Sequence, residues 1–142
     1  MTVTPIDARL RERREAVIRT LVEAQNRHDT PGALAAFAHP RFELIGTGRV
    51  YDGVAEVTQY LHDSRDAFPD QAQELIALHH ADDAVICEAW FSGTHLGSIA
   101  GLDATGRRFR CRLAAFFVFE GDSLVCQRTY FDAGTIARQL AG

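Results

Sequence analysis

Two side chains stand where a chain reversal would present them for proton transfer. His95 lies in Gly93-Thr94-His95-Leu96-Gly97, at the end of an extended segment between two glycines. There an imidazole titrates near neutrality and can move a proton, or it holds a hydrogen bond across the glycine-rich turn. Asp132 lies in Phe131-Asp132-Ala133-Gly134-Thr135. A carboxylate buried beside a pocket with a raised pKa is a general base, whereas one placed just before a helical turn is an N-cap, and Gly134 and Thr135 favour the cap.

Other clusters point away from chemistry. His79 and His80 are neighbours on an extended segment, so they face opposite sides and cannot chelate one ion together. Arg108, Arg110 and Arg112 share one strand face and could clamp an anion, although arginines at a solvated strand end more often pair with nearby carboxylates. All fifteen basic side chains are Arg, which leaves lysine-dependent Schiff-base chemistry without a side-chain amine. Gly46-Thr47-Gly48 lacks the third glycine and the lysine of a phosphate loop, and Ser98 is misplaced for a nucleophile elbow. Cys87, Cys111 and Cys126 sit singly in apolar stretches, an odd number without Cys-x-x-Cys spacing, and read as core thiols.

The elements that position these residues follow from periodicity. Apolar residues at Leu10, Val17, Leu21 and Ala24, extended back to Ile6, predict a long amphipathic helix over 4–28, with Arg9, Arg11, Arg13 and Arg14 near its start. Thr30 and Pro31 predict the N-cap and first residue of a short second helix through Ala38. Short strands over 41–45 and 49–51 precede a third helix, marked by Val54, Val57, Leu61, Ser64 and Phe68 and stopped by Pro69. Four extended segments follow, over 73–80, 84–95, 107–119 and 123–131, then a last helical turn over 136–140.

This order predicts one α+β domain over 1–142, a curved and mostly antiparallel sheet with helices gathered on one side. In the third long strand both faces are apolar, Cys111, Leu113, Ala115 and Phe117 on one and Ala114, Phe116 and Val118 on the other. The second face needs a cover, and the expected one is a second copy in a homodimer. A formal net charge of −4 argues against nucleic-acid binding. No apolar run has the length of a membrane span, and the first residues lack the apolar core of a signal peptide, so a cytoplasmic protein is expected.

Several strings resemble the SnoaL-like polyketide cyclases of the nuclear-transport-factor-2-like and ketosteroid-isomerase-like superfold. They are Gln25-Asn26-Arg27-His28-Asp29, Gly93-Thr94-His95-Leu96-Gly97, Ala104-Thr105-Gly106-Arg107-Arg108 and Arg138-Gln139-Leu140. The resemblance implies a cone-shaped fold enclosing a pocket between sheet and helices, and cofactor-independent acid/base chemistry on a small, largely apolar, polyketide-derived molecule. It places Gln25, Tyr60, Phe91 and Thr129 around the ligand and offers Asp132 and His95 as catalytic groups. It also exposes departures. The essential Asp of the aldol cyclases falls at Thr129 and its assisting His at Ala115, while the Arg and second Asp of limonene-type epoxide hydrolases fall near Ala89 and Phe91. A hydroxyl or methyl cannot take a proton near pH 7. The expected function is therefore a cyclase, isomerase or dehydratase; the alternative is a non-catalytic binding or assembly module, and epoxide hydrolysis ranks third.

Overall fold

Helix α1 (Ala8–Asn26) opens where Asp7 accepts a hydrogen bond from the backbone N–H of Leu10 and satisfies an otherwise unpaired donor of the first turn. The computed structural model describes residues 7–142, so the expected helical residues 4–6, Ile6 among them, lie outside the described residues. The buried stripe of α1 runs through Leu10, Arg14, Ile18, Leu21, Val22 and Gln25. Burying each large aliphatic member stabilises the fold by about 2 kcal/mol. His28 adopts a left-handed backbone (φ 59°), which ends the helix and turns the chain into α2 (Thr30–Ala35). The cap of α2 is Asp29 rather than Thr30: the Asp29 carboxylate accepts from the Gly32 N–H at 3.0 Å. A carboxylate serves this N-terminus better than a hydroxyl, and the Thr30 hydroxyl is bonded elsewhere.

Strands β1 (Arg41–Leu44) and β2 (Arg49–Asp52) form a small hairpin, followed by α3 (Val54–Ala67). Strands β3 (Ala72–His80), β4 (Ala84–Thr94), β5 (Arg108–Glu120) and β6 (Ser123–Phe131) form the antiparallel meander. The sheet order is β2-β1-β6-β5-β4-β3, all antiparallel except the β1–β6 pair. It is a curved, open sheet with β2 and β3 at its edges, the expected α+β class. The final helix α4 (Ala133–Ala141) is longer than the single turn expected, because Asp132 caps it and Leu140 buries its far end.

Two apolar clusters fill the concave side. The larger joins Ile18, Leu21, Val57, Leu61, Phe117 and Leu124 between helices and sheet. The smaller joins Ala67, Phe68, Phe109, Cys111 and Leu140 at the end of the sheet where α4 docks. The chain after β4 is pinned to the end of α3, with the N–H groups of Leu96 and Gly97 both donating to the Ala67 carbonyl. A side chain at position 97 would run into the Asp66 carbonyl, which explains the glycine. All three cysteines are buried and free. His79 and His80 reach different carboxylates, Glu88 at 3.6 Å and Glu15 at 2.8 Å, as expected for opposite faces of β3.

The convex side carries apolar side chains at partial exposure. Ala114, Phe116 and Val118 are half-buried, and the Phe116 ring contacts that of exposed Tyr130 at 5.5 Å. Trp90 lies on the same side under the guanidinium groups of Arg110 (3.7 Å) and Arg112 (4.6 Å). The arginine row is thus occupied by Trp90 and by Glu88, 3.6 Å from Arg112, and faces away from the interior. Among the described residues no helix is long and apolar enough to cross a membrane.

Candidate functional site

The concave face encloses a cavity of about 80 Å³ between β1, β4, β5 and β6 on one side and the ends of α1 and α3 on the other. A single water needs roughly 10–15 Å³ by this measure, so the space exceeds a hydration site. Its apolar wall is Phe42, Leu44, Phe91, Leu113 and Phe131. Exposed Asn26 and Ala72 mark its mouth, between the end of α1 and the start of β3.

The structure brings Gln25, Tyr60, Phe91 and Thr129 together as lining residues of this cavity. Gln25 arrives because it lies four residues beyond Leu21 on the buried stripe of α1. Its side-chain N–H donates to Gln127 Oε1 at 3.2 Å, and its own oxygen accepts from Gln73 Nε2 at 3.2 Å. Tyr60 is held by rings on two sides, stacked on Tyr51 at 4.6 Å and edge-on to Phe42 at 5.9 Å. Burial pushes its phenol up to about 12, so it remains a neutral hydroxyl at physiological pH. Phe91 and Trp90 alternate across β4, Phe91 inward. Thr129 is 6% exposed and pairs with Ala115 across the β5–β6 ladder. These two positions, at which the resemblance expected an Asp and a His, are thus direct neighbours, and here they present a hydroxyl facing a methyl. That explains why Thr129 Oγ1 is buried without a hydrogen-bond partner.

His95 and Asp132 do not line the cavity, and the assignment of both to the pocket is corrected. His95 is completely buried at the end of the smaller core cluster, its ring 5.6 Å from Phe68. Its Nδ1 faces the Thr105 hydroxyl at 3.1 Å and the Thr105 N–H at 3.2 Å, a bond across the glycine-rich loop. Asp132 is exposed and caps α4, accepting from the Gly134 N–H at 2.9 Å and the Thr135 hydroxyl at 2.8 Å, with Arg138 at 3.5 Å. The Thr135 hydroxyl, the Gly134 N–H and Arg138 hold its carboxyl below the usual range, the opposite of what a general base near neutrality requires.

Sequence reasoning missed the remaining polar lining, above all Arg65 and Gln127. Arg65 lies four residues beyond Leu61 on the inner side of α3 and contributes the cavity's positive charge. The signal was present in that spacing, but an arginine near a helix C-terminus reads as solvated. Among the described residues no Asp, Glu, His or Cys lines the cavity. Its polar groups donate hydrogen bonds or are neutral amides, so it can bind and polarise an oxygen-bearing molecule, and no lining side chain can accept a proton near pH 7.

Comparison with known proteins gives the same frame. A family model described as SnoaL-like polyketide cyclase matches residues 15–140. A candidate polyketide cyclase from Xanthomonas campestris pv. campestris is similar at a TM-score of 0.80 and 23% identity, covering 92% of this chain and 98% of that one. TsrD from Streptomyces laurentii matches at 0.77 and 23%, covering 96% and 98%. IdmH from Streptomyces antibioticus, another candidate polyketide cyclase, matches at 0.77 and 22%, covering 91% and 99%. At these identities the structural likeness concerns the fold. No curated protein matches the sequence.

Proposed function

Because the chain belongs to the SnoaL-like polyketide cyclase family, we propose that its cavity binds a small, largely apolar, oxygen-bearing molecule and promotes its cyclisation or isomerisation by hydrogen-bond donation. The observation that carries this reading is the composition of the lining: aromatic walls, neutral amides and hydroxyls, one guanidinium and no proton acceptor active near neutrality. In such a site the phenol of Tyr60 and the hydroxyl of Thr129 polarise a carbonyl, and the apolar walls fold the rest of the molecule. The proton inventory of the reaction then stays within the substrate and solvent. The convex face of the sheet serves as the surface of a homodimer in this proposal.

A second reading, a binding or assembly module, rests on the Thr129–Ala115 pair across β5 and β6, the two positions at which the resemblance places the cyclases' Asp and His. One experiment separates the two. The protein is incubated with a panel of aromatic and polyketide-type ketones, with melting temperature and product formation followed together. The catalytic reading expects a product whose rate survives Asp132→Ala and His95→Asn and is lost in Thr129→Trp, which fills the cavity. A melting shift without any product, again lost in Thr129→Trp, selects the binding module. A shift or a product that persists with the cavity filled overturns both.

A further inference from the structure

Arg65 is a half-buried cation whose Nη2 is fully buried and unpaired among the described residues. Its Nη1 donates to the Thr30 hydroxyl and, at 3.4 Å, to the carbonyl of His28, which ties the left-handed turn between α1 and α2 to α3. Nη2 is buried, reaches no partner among the described residues and belongs to a side chain lining the cavity. The carboxylate whose charge acts on it, Asp29, is already engaged: it caps α2 through Gly32 and lies 3.6 Å from Arg27. Burial lowers the pKa of the guanidinium, the expected response of a cation withdrawn from water, although Arg stays charged throughout the physiological range.

A second orphan lines the same cavity. Thr129 Oγ1 has no hydrogen-bond partner although the residue is only 6% exposed. The amides near it are bonded in one direction, Gln73 to Gln25 and Gln25 to Gln127, so the chain of donors ends on the Gln127 side chain within the cavity. The lining therefore holds one positive charge and one unpaired hydroxyl, and no carboxylate among the described residues lines it to balance the charge. Buried polar groups are ordinarily satisfied, and a buried charge left unpaired is costly.

Building on the binding cavity proposed above, we propose that the ligand carries an anionic oxygen, a carboxylate or a phenolate-like oxygen on an apolar body, and that Arg65 Nη2 receives it, with Thr129 donating beside it. A charge-assisted bond from guanidinium to an anionic oxygen is about twice as strong as a neutral one. The aromatic walls supply the apolar contact and fix a planar body.

The test uses benzoate and its neutral isostere benzamide, measured by isothermal titration calorimetry at neutral pH on the wild type, Arg65→Met, Arg65→Lys and Thr129→Trp. The wild type is expected to bind benzoate about tenfold more tightly than benzamide. Arg65→Met is expected to bring the two within about twofold by weakening benzoate more than benzamide, and Arg65→Lys to keep a preference for benzoate. Thr129→Trp should abolish both. If Arg65→Met fails to fold, the wild-type preference and the Arg65→Lys result decide. Equal binding of benzoate and benzamide to the wild type overturns the anion assignment while leaving the cavity reading intact, as does a benzoate preference that survives Arg65→Met. Binding of neither compound overturns the cavity reading and this inference together.

Discussion

The side-chain N–H of Gln25 donates to Gln127 Oε1 at 3.2 Å, joining the last turn of α1 to the middle of β6 across the cavity floor. Gln25 in turn accepts from Gln73 on β3 at 3.2 Å, so three amides from three elements form one chain, buried at Gln25 and Gln127 and half-buried at Gln73.

That chain should behave as a unit. Gln127→Leu leaves the Gln25 amide unpaired, and such a stranded buried group costs about 1–3 kcal/mol. Replacing both partners by Leu removes the polar groups together, so the double variant should be destabilised by less than the sum of the two singles. Urea unfolding of the two singles and the double forms the cycle. Strict additivity would show that the bond joining α1 to β6 contributes nothing to stability.

Arg14 makes a parallel case on the other side of α1. It is 1% exposed, its Nε donates to the Gly121 carbonyl at 2.8 Å and its Nη1 to the Asp82 carbonyl at 3.0 Å, and its guanidinium lies over the Phe119 ring at 5.3 Å. It therefore clasps both hairpin turns, β3–β4 and β5–β6, at one end of the sheet. Arg14→Met keeps most of the volume but frees those carbonyls, and a loss of about 2–4 kcal/mol is expected from urea unfolding. An exposed neighbour, Arg11→Met, should stay within about 0.5 kcal/mol of wild type.

The fold was legible because it rests on periodicity. The stripe of α1, the alternation of β5 and the turns at Asp82-Asp83 and Gly121-Asp122 each leave a local mark. Much of the cavity was legible too, since Gln25 and Tyr60 follow apolar residues at helical spacing, while the inward direction of Thr129 came from the resemblance to the cyclases. Other features were not, because they depend on partners distant in sequence. Arg14 and Arg65 carry charge at positions where helix surface is the ordinary reading; the carbonyls of remote turns make Arg14 interior, and Arg65 is half-buried against the cavity. His95 and Asp132 misled in the reverse sense. Their residue types suit catalysis, but the bonds to Thr105 and to the first turn of α4, visible only in three dimensions, assign both to architecture.

Glu43 makes stability depend on acid pH with a definite sign. Its carboxylate accepts from Cys126 Sγ at 3.2 Å and from Arg128 Nε at 3.2 Å, which hold its pKa below the ordinary 4.5 despite partial burial. The same carboxylate, after burial itself, keeps the Cys126 thiol protonated by pushing it up to about 12. A carboxylate depressed in the folded state binds its proton more weakly there than in the unfolded chain. Its contribution is therefore present above pH 4.5 and is lost as the pH falls through the depressed value. Glu43→Gln should flatten the fall in melting temperature between about pH 5 and pH 3. An acid limb unchanged from wild type would assign that slope to other carboxylates.

The convex face gives the last prediction. Phe116, Ala114 and Val118 remain half-buried there and Tyr130 is 41% exposed, while the charges flanking them are paired on the same surface, Glu43 with Arg128 and Glu88 with Arg112. Such a face, apolar at its centre and with its ion pairs closed, loses little electrostatically when it meets a copy of itself across a two-fold axis. The wild type should run as a dimer in size-exclusion chromatography with light scattering. Tyr130→Glu places a charge at the centre of the face and, two residues from Arg128, leaves the cavity untouched, because Tyr130 and Thr129 point to opposite sides of β6. That variant should elute as a folded monomer with an unchanged far-ultraviolet spectrum, and Phe116→Asp should do the same from the neighbouring strand. A wild type that is monomeric at every concentration measured would leave the convex face as bare surface and remove the homodimer from the proposed function.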